Sequence, residues 1–237
     1  RPRHHLTRGL GRHPAHHHRW GKRSRMLVTL ATRTFTPEPT AAALRLGALA
    51  RALAAGGDRV RVLTSRLAPS VARDARQLAD GGVEPGEGRG LVEVRRVPVL
   101  RDRTGAVRGY VSYMSFDVPL VARLLTGPRP DVVVSEPPPT TGAAVRIACA
   151  VRRVPYVYYC ADIVSDAAAL AGVPGLVVRT VAGLESFALR GASRVIAVSD
   201  GVARRARDLG ARDVAVVPNG VRVPDAVATG IPEGFPA

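Results

Sequence analysis

All six histidines of the chain lie between His4 and His18, and none follows in the remaining residues to Ala237. A Ser-His-Asp or Cys-His catalytic engine therefore cannot be assembled in the body of the protein, and neither can a histidine-based metal site. His16, His17 and His18 offer a sharper metal reading, but adjacent histidines in a Pro/Arg/Gly tail lack the fixed geometry of a closed site. Cysteine is scarce too. Only Cys149 and Cys160 occur, and a chain of 237 residues can bury a core without a disulfide, so reduced, buried thiols and a cytoplasmic setting are expected. Lysine is nearly absent: Lys22 stands alone among 35 basic residues. Aromatics make up 4% of the chain, too few for the stacking platforms of an RNA or single-strand binder. Apolar runs are interrupted by Arg123, Arg146 and Arg179 before reaching the ~20 residues that span a bilayer. Neither a G-x-x-x-x-G-K-[ST] loop nor a G-x-G-x-x-G turn after the first strand is present, which argues against that type of nucleoside triphosphatase and against a dinucleotide oxidoreductase.

What is abundant is arginine, and the formal net charge is +16. Residues 1–25 carry eight basic and no acidic side chains, so +8 remains for residues 26–237. With Ala, Gly, Pro and Val also abundant, the arginine usage reads as a coding bias more than as a nucleic-acid surface, which would mix lysine and base-reading polar groups. Residues 1–25 have no apolar core of a secretory signal and are expected to form a basic, His/Arg-rich, disordered extension outside the fold.

From Met26 onward, short apolar runs alternate with helical patterns. Residues 26–32, 59–64, 91–99, 131–135, 155–159, 194–198 and 214–217 read as strands. Leu46, Leu49, Ala50 and Leu53 mark one helix face stopped by Gly56-Gly57; Ala144, Ile147, Ala148 and Val151 mark another. Residues 110–125 read as a helix broken near Pro119, and 66–90 as a loop with at most one short helix. The fold class is α/β: a Rossmann-like parallel sheet of about seven strands, helices on both faces, in one domain over 26–220. Residues 221–237, with Pro224, Pro232 and Pro236, read as a linker or as the truncated start of a carboxyl-terminal domain. In such folds the loops after the strands carry function, here 33–40, 136–141, 160–166, 199–200 and 218–220.

The order of motifs resembles a known family. Phe35-Thr36-Pro37-Glu38-Pro39-Thr40, then Arg45, Leu49-Ala50, Leu53 and Gly57-Asp58-Arg59-Val60-Arg61-Val62-Leu63-Thr64, is similar to the opening of family 4 glycosyltransferases of GT-B fold, closest to the N-acetylfucosamine-transferase branch. Asp58 stands where that branch has His. Asp131-Val132-Val133-Val134-Ser135-Glu136-Pro137-Pro138 looks like the family's fourth strand and loop. Tyr158-Tyr159-Cys160-Ala161-Asp162-Ile163-Val164-Ser165-Asp166 resembles its Tyr-Glu-x-Arg-Asp-Leu-Trp-Pro-Glu segment without the Arg, Trp and Pro. Glu185, the strand ending at Ser199, and Val217-Pro218-Asn219-Gly220-Val221 complete the series, with Arg222 in place of the usual Asp.

The resemblance implies retaining transfer of a sugar from a nucleotide-sugar donor to a glycan or lipid-linked acceptor, with no metal, other cofactor or nucleic acid required. It implies that this chain holds the amino-terminal, acceptor-side domain, and that most donor contacts belong to a carboxyl-terminal domain with an E-x7-E motif. The domain by itself is then expected to be inactive. Asp162 is the catalytic-orientation candidate; Glu38, Ser135, Glu136 and Asp162 are the acceptor-binding candidates. Pro39, Thr40, Arg45, Asn219 and Gly220 are candidates for the donor phosphates or the cleft. Glu38 equally suits a first-turn role at the helix dipole, Arg45 a solvated one, and Glu185 and Asn219 capping or turn roles. Arg101, Arg103 and Arg108 leave peripheral contact with anionic lipid open. A non-catalytic sugar-binding domain is the alternative, prompted by the lost Arg, Trp and Pro.

Overall fold

The computed structural model describes residues 25–80, 92–102, 105, 107 and 109–220. The expected tail up to Ser24, the residues expected as a linker, Arg103, Arg108 and residues 81–91 lie outside this set. In chain order the elements are β1 (Leu27–Ala31), α1 (Ala41–Ala55), β2 (Arg59–Ser65), α2 (Pro69–Asp80), β3 (Val92–Val97), α3 (Tyr110–Thr126) and β4 (Val132–Ser135). They continue as α4 (Pro139–Arg152), β5 (Tyr156–Cys160), α5 (Val164–Leu170), α6 (Gly175–Gly191), β6 (Arg194–Ala197), α7 (Asp200–Asp208) and β7 (Val214–Val216).

The seven strands form one all-parallel sheet in the order β3-β2-β1-β4-β5-β6-β7. Continuous apolar strands suit this arrangement because both faces are covered. Val28 and Leu30 of β1 face Leu46 and Ala50 of α1, together with Val60, Val62 and Val134. Ala31, Leu63, Val133, Tyr158 and Val195 face the other way, onto Phe116, Leu120, Val145 and Leu189. Asp58, at the position of the branch's His, is buried and accepts the Met26 N–H at 3.1 Å, fixing the start of β1. Gly57 closes α1 with φ of 92°, a conformation that favours glycine.

The structure departs from local expectation at four helices. Helix α3 runs unbroken through Pro119, because Phe116, Leu120 and Leu124 on one face are buried in the core and outweigh the single lost N–H bond. The expected loop at 66–90 contains the twelve-residue α2, and α5 occupies part of the expected loop after β5. On α4 the buried face is Thr141, Gly142, Ala144, Val145, Ala148 and Cys149, while Ile147 is 50% and Val151 68% exposed. Small residues let this helix lie close to the sheet. A Cβ at Gly142 would stand 2.5 Å from the Tyr158 ring and 2.8 Å from Ala188 Cβ.

Candidate functional site

β1 is the topological switch point: the chain leaves it toward β2 on one side, and its other neighbour is β4. The loops after β1 and β4 therefore diverge and leave a crevice at the carboxyl ends of the strands. A cleft of about 540 Å³ lies there, lined by residues from both loops, by Ala161 and Asp162 beyond β5, by Ser65 at the end of β2, and by Arg101.

Its two buried carboxylates come from the two loops. Glu136, immediately after β4, accepts from Arg45 Nη2 at 3.1 Å and from the Thr32 hydroxyl at 3.2 Å. Glu38, in the loop before α1, accepts the Phe35 N–H at 3.1 Å and stands 3.7 Å from Arg101 Nη2. Burial raises the pKa of both, and Arg45 at Glu136, and the Phe35 N–H with Arg101 at Glu38, pull against it. Arg101 also donates to the carbonyls of Gly105 and Arg66, so it fastens the segment after β3 to the end of β2. It is engaged inside the cleft, whereas the lipid-contact expectation had it displayed on the surface.

Asp162 follows β5 and α5 follows it. Its carboxylate is exposed at the rim and has no side-chain hydrogen bond or ion pair among the described residues. The position is held from below. Glu185 of α6 is 0% exposed, accepts the Val164 N–H at 2.9 Å and the Ser165 N–H at 3.1 Å, and takes the Ser165 hydroxyl at 2.6 Å. These are first-turn N–H groups of α5, which have no partner within their own helix. Glu185 thus takes the capping role. Asp166 forms a forked, half-exposed pair with Arg205 at 2.7 and 2.8 Å.

Of the residues expected from the sequence, Glu38, Pro39, Thr40, Arg45, Glu136 and Asp162 come together in the cleft. Thr40 spends its hydroxyl on the Ala43 N–H as the cap of α1, and Pro39 has no N–H to offer. Ser135 is sealed within the sheet and does not line the cleft. Asn219 and the exposed Gly220 stand outside it, although Asn219 accepts from the Tyr159 hydroxyl at 3.1 Å and Tyr159 lies beneath Arg45, 5.9 Å from ring centre to guanidinium carbon.

Sequence reading passed over Arg33, the second residue after β1. Its guanidinium stacks on the Tyr113 ring of α3 at 3.7 Å, and Nη1 is enclosed without a hydrogen-bond partner among the described residues. Position next to the switch point was the available signal. Asp117 of α3 lies near it and accepts the Thr141 hydroxyl at 2.6 Å. Burial raises the Asp117 pKa despite that bond and Arg33. A raised carboxyl holds its proton more tightly in the folded than in the unfolded state, so its contribution to stability is lost as pH rises through the folded pKa. Asp117→Asn is therefore expected to gain stability relative to the parent between pH 4 and pH 8, in denaturant midpoints measured at both. An unchanged difference, or one favouring the parent at pH 8, would contradict this.

Both cysteines are buried and free, with thiols pushed up to about 12 by burial, so neither is a ready nucleophile. Among the described residues, no group of three or more His, Cys, Asp or Glu is placed to hold a metal ion, and no helix is long and apolar enough to cross a membrane.

Residues 40–220 match the glycosyl transferase 4-like domain. No curated protein matches the sequence. Among solved structures, HepE of Anabaena in complex with UDP is 20% identical, with a TM-score of 0.53 over 83% of this chain and 44% of that one. Sucrose-phosphate synthase from Thermosynechococcus elongatus is 14% identical, with a TM-score of 0.56 over 83% and 49%. UGT89C1 of Arabidopsis thaliana complexed with UDP-L-rhamnose is 12% identical, with a TM-score of 0.56 over 89% and 56%. The chain spans about half the length of these structures, and at such identities the likeness is one of fold: the Rossmann-like half of a GT-B architecture.

Proposed function

The chain belongs to the glycosyl transferase 4-like family, and from that premise we propose that the whole protein transfers a sugar from a nucleotide-sugar donor to a glycan or lipid-linked acceptor with retention of configuration. In this reading the described domain is the acceptor side, of the N-acetylfucosamine-transferase-like type. A carboxyl-terminal domain with the E-x7-E motif supplies most donor contacts. UDP and UDP-L-rhamnose in the complexes of two fold neighbours support a nucleotide-sugar donor.

One observation carries the reading: an unpaired carboxylate, Asp162, at the mouth of a switch-point cleft whose inner carboxylates are already paired with arginine. Transfer forms a bond from an acceptor oxygen to the anomeric carbon, breaks the bond from that carbon to the diphosphate oxygen, and passes the hydroxyl proton to the departing diphosphate. Asp162 accepts a hydrogen bond from that hydroxyl and orients it. Positioning of this kind is worth several kcal/mol of a transfer barrier. Glu38 and Glu136, braced by Arg101 and Arg45, hold neighbouring hydroxyls of the acceptor.

The test is a donor screen. The full-length protein is incubated with UDP- and GDP-sugars and candidate acceptors, nucleotide release is followed, and the anomeric configuration of the product is read by NMR. Acceptor-dependent release with retention is expected. Neither transfer nor hydrolysis from any donor would overturn the reading and favour a sugar-binding domain without chemistry.

A further inference from the structure

Among the described residues three guanidinium groups line the cleft, and they are not equivalent. Arg45 is paired with Glu136, and Arg101 with Glu38 and two carbonyls. Arg33 has no carboxylate within ion-pair distance among the described residues. The groups that act on it are Tyr113, Asp117 and Glu136; Glu136 is bound by Arg45 and Thr32, and Asp117 by Thr141 through Oδ1, its buried Oδ2 having no hydrogen-bond partner among the described residues. One face of its guanidinium is covered by Tyr113, and Nη1 is buried without an acceptor. Burying a cation without a hydrogen-bonded anion is costly, and a ligand that brings the anion removes the cost. A sugar hydroxyl supplies one acceptor but no charge; a phosphate supplies both, in a geometry matched to a guanidinium edge.

Resting on the acceptor reading of the cleft, we propose that the acceptor carries a phosphate group that docks against Arg33, which leaves its reacting hydroxyl to Asp162 across the cleft. Such a phosphate belongs either to a water-soluble sugar phosphate or to a lipid headgroup. Tyr113 sits on the first turn of α3, and Tyr110 and Met114 of that same turn line an apolar groove of about 250 Å³ between α3, α4 and Leu184 of α6. Val118, which is 65% exposed, lines this groove and offers apolar surface to a hydrocarbon chain.

The experiment is calorimetric titration of the full-length protein, its donor side saturated with a nucleoside diphosphate, with inorganic phosphate, dodecyl phosphate and neutral dodecyl maltoside. At least one phosphate probe is expected to bind, with affinity falling tenfold or more in Arg33→Gln and partly retained in Arg33→Lys; circular dichroism checks that both variants fold. Dodecyl phosphate binding tenfold tighter than inorganic phosphate, with the gain erased by Val118→Asp, identifies a lipid headgroup. Equal binding of the two identifies a soluble phosphate. Equal phosphate affinity in the parent and Arg33→Gln, or no phosphate binding at all, overturns the proposal. Transfer onto neutral acceptors without dependence on Arg33 would overturn it and leave the transferase reading intact. Arg33-dependent phosphate binding in a protein that turns over no nucleotide-sugar would remove the transferase reading and leave the phosphate site.

Discussion

Glu185→Ala is expected to lower folding stability by about 3–5 kcal/mol, the range for removing one partner from a buried, hydrogen-bonded charge. The carboxylate is fully enclosed and is the common acceptor for the Val164 and Ser165 N–H groups and the Ser165 hydroxyl. Alanine leaves all three donors without a partner in a space closed to water, and adds a cavity. Glu185→Gln is milder in shape but presents an amide N–H₂ to a donor, so it recovers only part of the loss. Guanidinium unfolding of the three proteins decides the matter. A cost below 1 kcal/mol for the alanine variant would mean that the start of α5 is held by something else.

Asp162→Asn is expected to do the reverse. The carboxylate lies at the exposed rim without a partner among the described residues, so its removal changes stability by no more than about 0.5 kcal/mol, as at ordinary surface positions. Turnover of the full-length protein is expected to fall about 10²-fold or more, the usual loss for a positioned group acting on a reacting proton. The fall should appear in kcat with little change in donor KM, since the donor is held elsewhere. Melting temperature and kcat measured on one preparation separate the outcomes: parallel losses in both would reassign Asp162 to a structural role.

Much of the fold was legible because burial in a parallel sheet leaves a direct mark. Val132-Val133-Val134 and Val60 to Leu63 read as strands since both faces are apolar, and Leu46 and Ala50 read as a helix face because α1 packs on one side only. Helix α4 misled the reading because bulk was taken as a sign of burial. Its close approach to Tyr158 and Ala188 needs glycine and alanine inward, and turns Ile147 and Val151 outward. At Pro119 a local rule lost to the packing of Phe116, Leu120 and Leu124.

The candidate site divides in the same way. Asp162, Glu38 and Glu136 could be named from loops that follow strands, because chain order alone decides which ends of parallel strands share an edge, and Arg45 from the family resemblance. The roles of Arg33 and Arg101 could not, and the capping role offered for Glu185 met its helix only in the tertiary structure. Each depends on a partner, or on the lack of one, across gaps such as the 63 positions between Glu38 and Arg101 or the 20 between Ser165 and Glu185. Composition and periodicity by themselves determined an α/β sheet with its functional loops at one edge, because hydrophobic burial is a property of each segment. Which arginine is neutralised and which waits for an anion was decided only in the tertiary structure, because charge pairing and desolvation depend on distances that no local pattern encodes.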